Sequence, residues 1–137
     1  MTLNKEFLLP IRVYIEDTDA GGIVYYVNYL KFMERSRTEF LRSLGYGKAS
    51  VLDDGLLLVV HSLVVNYQLP AKLDDELIVS SSVLKLARSH IVFKQQVRRG
   101  QMLLCNAEVT IACVNARLRP TALPIAIRES ISHYMQQ

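Results

Sequence analysis

The stretch that decides the fold is Glu16-Asp17-Thr18-Asp19-Ala20-Gly21-Gly22-Ile23-Val24-Tyr25-Tyr26. It places three carboxylates at the end of an apolar strand pattern, followed by two glycines that let the backbone bend. A long run of helix-forming residues begins directly afterwards. The first amide groups of a helix have no partner inside the helix and carry about half a positive charge. The sequence therefore predicts a carboxylate beside a helix N-terminus that can hold an anion, which suits acyl transfer.

The segments that flank this stretch have clear periodicities. Ile11, Val13 and Ile15 alternate with polar residues, which predicts a strand. Residues 27–44 contain no Gly or Pro, and Gly45 stands where a C-terminal cap belongs, which predicts a helix. One side of this helix carries Leu30, Met33, Arg37, Leu41 and Leu44, and another sector carries Tyr29, Phe32, Ser36 and Phe40. So wide an apolar surface predicts a helix enclosed over much of its circumference.

The remainder of the chain has the pattern of a β-sheet. Strands are predicted over residues 56–67, 77–86, 91–97 and 102–114, with residues 118–120 closing the sheet and a short helix over residues 125–134. One strand, one helix and four consecutive antiparallel strands indicate an α+β fold. With 137 residues and no repeat or linker, residues 1–137 are expected to form one domain.

Composition and charge argue against nucleic-acid-binding, membrane-spanning and secreted proteins. The net charge of +3 comes without a dense Lys/Arg run, which argues against nucleic-acid binding. The longest aliphatic run, residues 56–60, is far below the roughly 20 residues of a membrane span. No secretory signal pattern is present, because Pro10 ends the short apolar run after Glu6. We therefore expect a soluble cytoplasmic protein.

The two cysteines are expected to be buried hydrophobic residues. Cys105 and Cys113 fall in one predicted strand, about 26 Å apart, whereas a disulfide needs Cα atoms within about 7 Å. Neither has His or Cys neighbours at metal-ligand spacing. The sequence predicts no metal site and requires no cofactor.

The acidic motif, together with Asn28-Tyr29 and Glu34-Arg35, resembles the hot-dog acyl-CoA thioesterases of the 4-hydroxybenzoyl-CoA thioesterase family. Within that family it is most similar to the Tol-Pal system-associated branch. Weaker matches follow at Val65-Asn66-Tyr67, Pro70-Ala71, Leu73-Asp74-Asp75, Asn106-Ala107-Glu108 and Arg119-Pro120 to Leu123-Pro124. The resemblance implies an antiparallel sheet of five to six strands wrapped around a long central helix.

The resemblance also implies roles for individual residues. The second aspartate of the Asp-x-Asp pair, here Asp19, is the catalytic carboxylate, and the backbone amide of Tyr26 is the oxyanion donor. Many relatives in this branch carry His where this chain has Tyr26. The proposed donor is a backbone N–H, which is present with either residue. Paired glycines indicate a sharp bend or close approach of a ligand, which makes Gly22 a candidate substrate contact.

Other readings of the aspartates remain open. Asp19 also suits a helix cap or a turn, and Asp17 is its main rival for the catalytic role. If Asp19 is catalytic, it either attacks the thioester to give a mixed anhydride or deprotonates a water molecule. The sequence does not choose between these two mechanisms.

Coenzyme A is a polyanion, so cations are expected at its entrance. Arg88 and Ser89 at a strand bend, with Arg117 and Arg119 after the last long strand, are candidate phosphate contacts or, equally, solvated loop residues. The expected substrate is an acyl-CoA, with acyl carrier protein as another possible carrier.

Association with a second copy is also expected. Residues 56–67 are apolar at both odd and even positions, so neither face of this strand suits contact with water, which predicts at least a dimer. His61 in this strand is expected to be a core or interface residue. The resemblance implies an acyl site between subunits and commonly a homotetramer, a dimer of dimers.

Two alternative functions remain. A hot-dog dehydratase or hydratase also acts on acyl thioesters, but it relies on an active-site His that this chain lacks in its opening motif. A non-catalytic module that binds acyl thioesters or acyl carrier protein would keep the fold without turnover. The acyl chain itself is left open by the sequence.

Overall fold

The computed structural model of the protein describes residues 5–46 and 55–136. The elements, in chain order, are β1 (Phe7–Arg12), a 3₁₀ turn (Ile15–Asp17), α1 (Asn28–Ser43), β2 (Leu57–Tyr67), β3 (Glu76–Leu86), β4 (His90–Arg99), β5 (Met102–Val114) and α2 (Ile125–Gln136). The strands form one antiparallel sheet in the order β1-β3-β4-β5-β2. The predicted α+β architecture, with five strands in the described part of the chain, is confirmed.

The core lies between α1 and one face of the sheet. Alternate residues of the three central strands are buried on this face, since strand side chains point to opposite sides with a period of two. They are Leu77, Val79, Ile91, Phe93, Val97, Val109 and Cys113, and α1 contributes Phe32, Met33, Phe40 and Leu41. Burying one such side chain stabilises the fold by roughly 1.5–3 kcal/mol. Cys105 and Cys113 are both free and buried, as predicted.

The first strand was placed wrongly by its periodicity. It covers Phe7–Arg12, and Ile15 is 76% exposed in the 3₁₀ turn. Pro10 is accommodated because β1 is an edge strand, where a missing N–H costs no ladder bond. The strand pattern ends after Val13 because the Asp17 carboxylate accepts a hydrogen bond from the Tyr14 N–H and bends the chain.

The other boundaries agree closely with the prediction. α1 is one residue shorter at each end, and Gly45 follows it with a φ of +101°, the left-handed conformation that favours glycine at a helix end. Residues 118–120 are not a strand, because Leu118 turns the chain at a φ of +62° and only Pro120 forms an isolated bridge, to Val114. The helix is covered on one broad side only, since Lys31, Glu34, Arg35 and Arg42 are exposed.

β2 forms one edge of the sheet and leaves its outer edge unpaired within the described residues. Its exposed apolar side chains are Val60 (53%), Leu63 (36%), Val64 (64%) and Tyr67 (43%). His61 is exposed where the register shifts, so it is not a core residue of the protomer. In the ranges that the structure describes, neither helix is long and apolar enough to cross a bilayer.

Candidate active site

The acidic stretch forms a tight hairpin that presents Asp19 at its corner. The Asp19 N–H donates to the Ile23 carbonyl oxygen at 3.0 Å, and the Gly22 N–H donates to the Asp19 carbonyl oxygen at 3.1 Å. Gly22 has a φ of +78°, so the turn requires the residue without a Cβ. Apart from the two chain neighbours of Gly22, no described residue has an atom within 4 Å of the position that a Cβ would take there, so the space beside the turn is open in this part of the chain.

The two aspartates of the motif have different surroundings. The Asp17 carboxylate accepts a hydrogen bond of 2.9 Å from the Tyr14 N–H and so holds the 3₁₀ turn. The Asp19 side chain is exposed, and its Oδ1 accepts from the Gly21 N–H at 2.9 Å. Its Oδ2 has no hydrogen-bond partner among the described residues. Asp19 therefore keeps one carboxylate oxygen available, whereas Asp17 has a structural bond.

The residues before α1 carry unused backbone donors. The amides of Asn28, Tyr29 and Leu30 donate to the carbonyl oxygens three residues earlier, at 2.8, 3.3 and 3.0 Å. In the part of the chain that the structure describes the Val27 N–H has no acceptor, and neither has the Tyr26 N–H. It lies just ahead of the positive end of the α1 dipole. A free N–H at this place can stabilise developing negative charge.

The loop between β2 and β3 holds the acidic hairpin in position. The Val24 N–H donates to the Ala71 carbonyl oxygen at 2.9 Å, and the Leu73 N–H donates to the Gly22 carbonyl oxygen at 3.2 Å. The Ala71 N–H in turn donates to the hydroxyl oxygen of Tyr29 at 2.9 Å. Hydrogen bonds thus connect the loop to the hairpin on one side and to α1 on the other.

An ion pair with β4 stabilises the loop between β2 and β3. Arg99 Nη1 lies 2.7 Å from Asp75 Oδ2, which also accepts from the Lys72 N–H at 2.8 Å. Burial acts to raise the pKa of Asp75, but the hydrogen bonds from Lys72 and Arg99 outweigh it and hold the pKa below its usual value. The carboxylate form therefore stabilises the loop.

Aromatic rings line the entrance to α1. The Tyr26 ring contacts Tyr25 and Tyr67, with centroids 5.0 and 5.9 Å away, and Tyr67 also contacts Tyr29 at 5.6 Å. Burial raises the pKa of Tyr29 and Tyr67, so both phenols are neutral at physiological pH. These contacts connect the start of α1 to the C-terminal end of β2.

The predicted coenzyme contacts lie together but far from Asp19. The Arg88 and Ser89 carbonyl oxygens accept from Leu123 and Cys113, both at 2.8 Å, and Arg119 pairs with Asn115 in the adjoining turn. β3 begins beside the acidic hairpin and ends just before Arg88. Its eleven residues span about 30 Å. One protomer therefore does not bring Arg88, Ser89 or Arg119 to Asp19.

Two adjoining cavities run along the groove between α1 and β2. One, of about 230 Å³, begins at Val27, the residue after Tyr26, and the other, of about 300 Å³, reaches Leu41. Both are bordered by Glu34, Arg37 and Val60. Asp19 borders neither cavity. No group of three or more His, Cys, Asp or Glu side chains within residues 5–46 and 55–136 is arranged to hold a metal ion.

Two features were not predicted from the sequence. Asn28 is buried, and its side-chain amide donates to the Asp17 carbonyl oxygen at 2.8 Å. Arg37 donates to the buried Gln95 at 2.8 Å. The signal for Arg37 was its place among the apolar residues of the inward helix face. Asn28 had only its place in the motif, which carried no information about its bonding partner.

An antiparallel sheet folded against one long helix is the hot-dog fold, and in this chain an acidic hairpin precedes the helix N-terminus. The model of the Thioesterase-like superfamily matches residues 13–131, and the chain belongs to this family. The family and fold implied by the acidic motif are thus confirmed.

Similar proteins cover nearly the whole chain. The acyl-CoA thioesterase YbgC of Haemophilus influenzae is 41% identical over 96% of this chain and 98% of its own length. The acyl-CoA thioester hydrolase YbgC of Escherichia coli O6:H1 is 39% identical over 88% and 92%. A crystal structure of a probable thioesterase from Bartonella henselae, 34% identical, superposes with a TM-score of 0.76 over 90% of this chain and 100% of that one.

Proposed function

We propose that this protein hydrolyses acyl-CoA thioesters to the free acid and coenzyme A, with Asp19 as the catalytic carboxylate. The observation that carries the proposal is that two groups of the same short segment before α1 have no partner in the described chain. Asp19 keeps a carboxylate oxygen without a partner, and the Tyr26 N–H before α1 has no acceptor among the described residues. The named activities of the similar proteins support the same reaction.

The chemistry follows from these two groups. The thioester carbonyl oxygen accepts a hydrogen bond from the Tyr26 N–H. In other enzymes, removing one such donor raises the activation free energy by roughly 3–4 kcal/mol. In one route Asp19 attacks the carbonyl carbon, the C–S bond breaks, and water then hydrolyses the mixed anhydride. In the other route Asp19 takes a proton from a water molecule that attacks the same carbon, the C–S bond breaks, and the proton passes to the leaving thiolate. Both routes end with the acid and the coenzyme thiol.

A second copy of the chain would complete the site. The unpaired β2 edge, with its exposed apolar side chains, is a template for pairing with another strand. β2 runs from Leu57, beside Val114, to Tyr67, which contacts Tyr26. Antiparallel pairing of two β2 edges about a two-fold axis therefore places the Arg88 end of the second copy near the Asp19 end of the first.

This assembly accounts for the separation found within one protomer. The coenzyme phosphates would meet Arg88, Ser89 and Arg119 of the second copy, while the thioester lies at Asp19. A dimer is the smallest assembly that meets this need, and a dimer of dimers meets it too. Delivery by acyl carrier protein, a role beside the Tol-Pal system and a cytoplasmic location remain further predictions.

The test is thiol release from a panel of acyl-CoA substrates with short, long and aromatic acyl groups, followed with a thiol reagent. We expect saturable release at a rate proportional to enzyme concentration. Calorimetric binding of acyl-CoA without thiol release would contradict the proposal and favour a binding module. Formation of a hydrated or dehydrated acyl-CoA with the thioester intact would instead favour the dehydratase class.

A further inference from the structure

A chain of buried polar side chains lies beneath the groove between α1 and β2. Gln95 is fully buried and donates through Nε2 to the Met33 carbonyl oxygen at 2.9 Å and to Ser81 Oγ at 2.8 Å. Ser81 Oγ lies 2.7 Å from Ser36 Oγ. Because the core occupies the amide nitrogen of Gln95, its Oε1 is fixed toward Arg37 and accepts from Nη1 at 2.8 Å. The core thus holds one guanidinium in place.

The rest of this guanidinium borders the groove. Arginine has five N–H donors, and among the described residues Arg37 makes the single hydrogen bond to Gln95. No carboxylate of the described chain lies within 4.0 Å of it. Every fully buried side-chain nitrogen or oxygen in these residues has a partner, so Nε and Nη2 of Arg37, which have none, keep exposed surface. Arg37 borders both cavities.

Most of the cavity wall around Arg37 is apolar, and Lys31, Glu34 and Thr38 are its other polar members. The cavity walls include Met33, Leu41, Leu58, Val60, Phe93 and Ile111. Burial lowers the pKa of Arg37, and the charge of Glu34 only partly offsets this. A cation removed from water gains most from an anion that meets its unused donors, and arginine suits carboxylates through paired hydrogen bonds.

We propose that the groove holds the acyl group and that Arg37 selects acyl groups whose far end carries a carboxylate. The groove begins at Val27, next to the Tyr26 amide, and Arg37 lies ten helix residues further, about 15 Å along α1. Apolar walls over this distance suit a methylene chain. The inference rests on the proposed thioesterase function and adds to it a class of substrate.

Glu34 offers a second way to test the effect of charge in the groove. It is exposed and borders the same cavities, one helix turn before Arg37. Its carboxylate would repel an incoming carboxylate without binding the guanidinium. Glu34→Gln should therefore strengthen the preference that Arg37→Met removes.

The experiment compares kcat/KM for ω-carboxyacyl-CoA substrates and for unsubstituted acyl-CoA substrates of matched length, over a length series. We expect the wild-type protein to prefer the carboxylate at one length. Arg37→Met should lower kcat/KM for the ω-carboxyacyl-CoA substrates roughly 10- to 100-fold more than for the unsubstituted ones, while Arg37→Lys retains part of the preference. The matched control is Arg42→Met on the same helix, whose side chain pairs with Glu39 and borders neither cavity.

Three results would overturn the inference. They are the absence of a carboxylate preference at every length, an equal effect of Arg37→Met on both substrate series, and a change of assembly state in Arg37→Met with the preference intact. If no CoA thioester is hydrolysed, the proposed function fails separately. Calorimetric binding of the same substrate pairs to Asp19→Asn and Asp19→Asn/Arg37→Met proteins then still decides the role of Arg37. Thermal melts establish that each variant is folded.

Discussion

The side-chain amide of Asn28 donates a hydrogen bond of 2.8 Å to the backbone carbonyl oxygen of Asp17. The same carbonyl oxygen accepts from the Tyr25 N–H at 3.1 Å. Asn28 is the first residue of α1, and its side chain is buried. This pair of bonds fixes the acidic hairpin against the helix start, and with it the position of Asp19 relative to the Tyr26 amide.

Asn28 should therefore act as a positioning residue. Asn28→Ala removes the bond and leaves Asp19 and the Tyr26 N–H in the chain, so we expect kcat to fall about tenfold with little change in KM. The free energy of unfolding should fall by about 1 kcal/mol. The control is Asn66→Ala, which removes a longer, exposed bond to Asn106. An unchanged kcat in folded Asn28→Ala would contradict the role.

The proposed oxyanion donor is a backbone group, which two substitutions at one position can test. Tyr26→Ala removes the ring but keeps the N–H, whereas Tyr26→Pro removes both, and proline is tolerated near helix starts. We expect Tyr26→Pro to reduce kcat about 100- to 1000-fold below Tyr26→Ala. Equal kcat values in the two variants, with circular dichroism spectra like the wild type, would exclude the Tyr26 amide as the donor.

The Asp75–Arg99 pair predicts a stability change in acid. The folded-state pKa of Asp75 is lowered, so its contribution is complete above the ordinary carboxyl pKa, near 4, and is lost as the pH falls through the lower folded value. Urea unfolding from pH 7 to pH 2 should show a loss for the wild type that is smaller in Asp75→Asn. A double-mutant cycle with Arg99→Met should give a coupling of about 1 kcal/mol or less, since both side chains are partly exposed. The same acid slope in both proteins would contradict the assignment.

A site shared between two copies predicts complementation. A homodimer of Asp19→Asn lacks the carboxylate in both sites, and a homodimer of Arg88→Ala/Arg119→Ala lacks the coenzyme cations in both. A purified mixed dimer places both defects in one site and leaves the other intact, so it should recover about half of the wild-type activity. Activity no higher than that of the parent variants would show that each site uses its own arginines.

Local patterns in the sequence were sufficient for most of the fold. The long apolar runs of β2 and β5 and the uninterrupted helix formers of α1 are local signals, so the bounds of these elements were predicted to within a residue or two. β1 was misplaced because the alternation at Ile11, Val13 and Ile15 continues past the point where Asp17 bends the chain. That bend depends on one side-chain hydrogen bond, which no periodicity records.

The candidate site was predicted only in part. Asp19 and Tyr26 could be proposed because the resemblance to a known family assigns roles to these two positions of the motif. The position of Arg88 and Arg119 depends on strand order and strand length, which set them about 30 Å from the acidic hairpin. The bonds that join Arg37, Gln95 and Ser81 connect three separate elements, so only the folded chain reveals them.

The most direct test of the central claim compares kcat/KM for Asp19→Asn and Asp17→Asn on the preferred acyl-CoA. Asparagine at position 17 keeps an oxygen that can accept from the Tyr14 N–H, so the hairpin is retained in both variants. We expect a loss of roughly 100- to 10,000-fold for Asp19→Asn and a loss within about tenfold for Asp17→Asn. Near wild-type turnover in folded Asp19→Asn, or the larger loss in Asp17→Asn, would contradict the central claim.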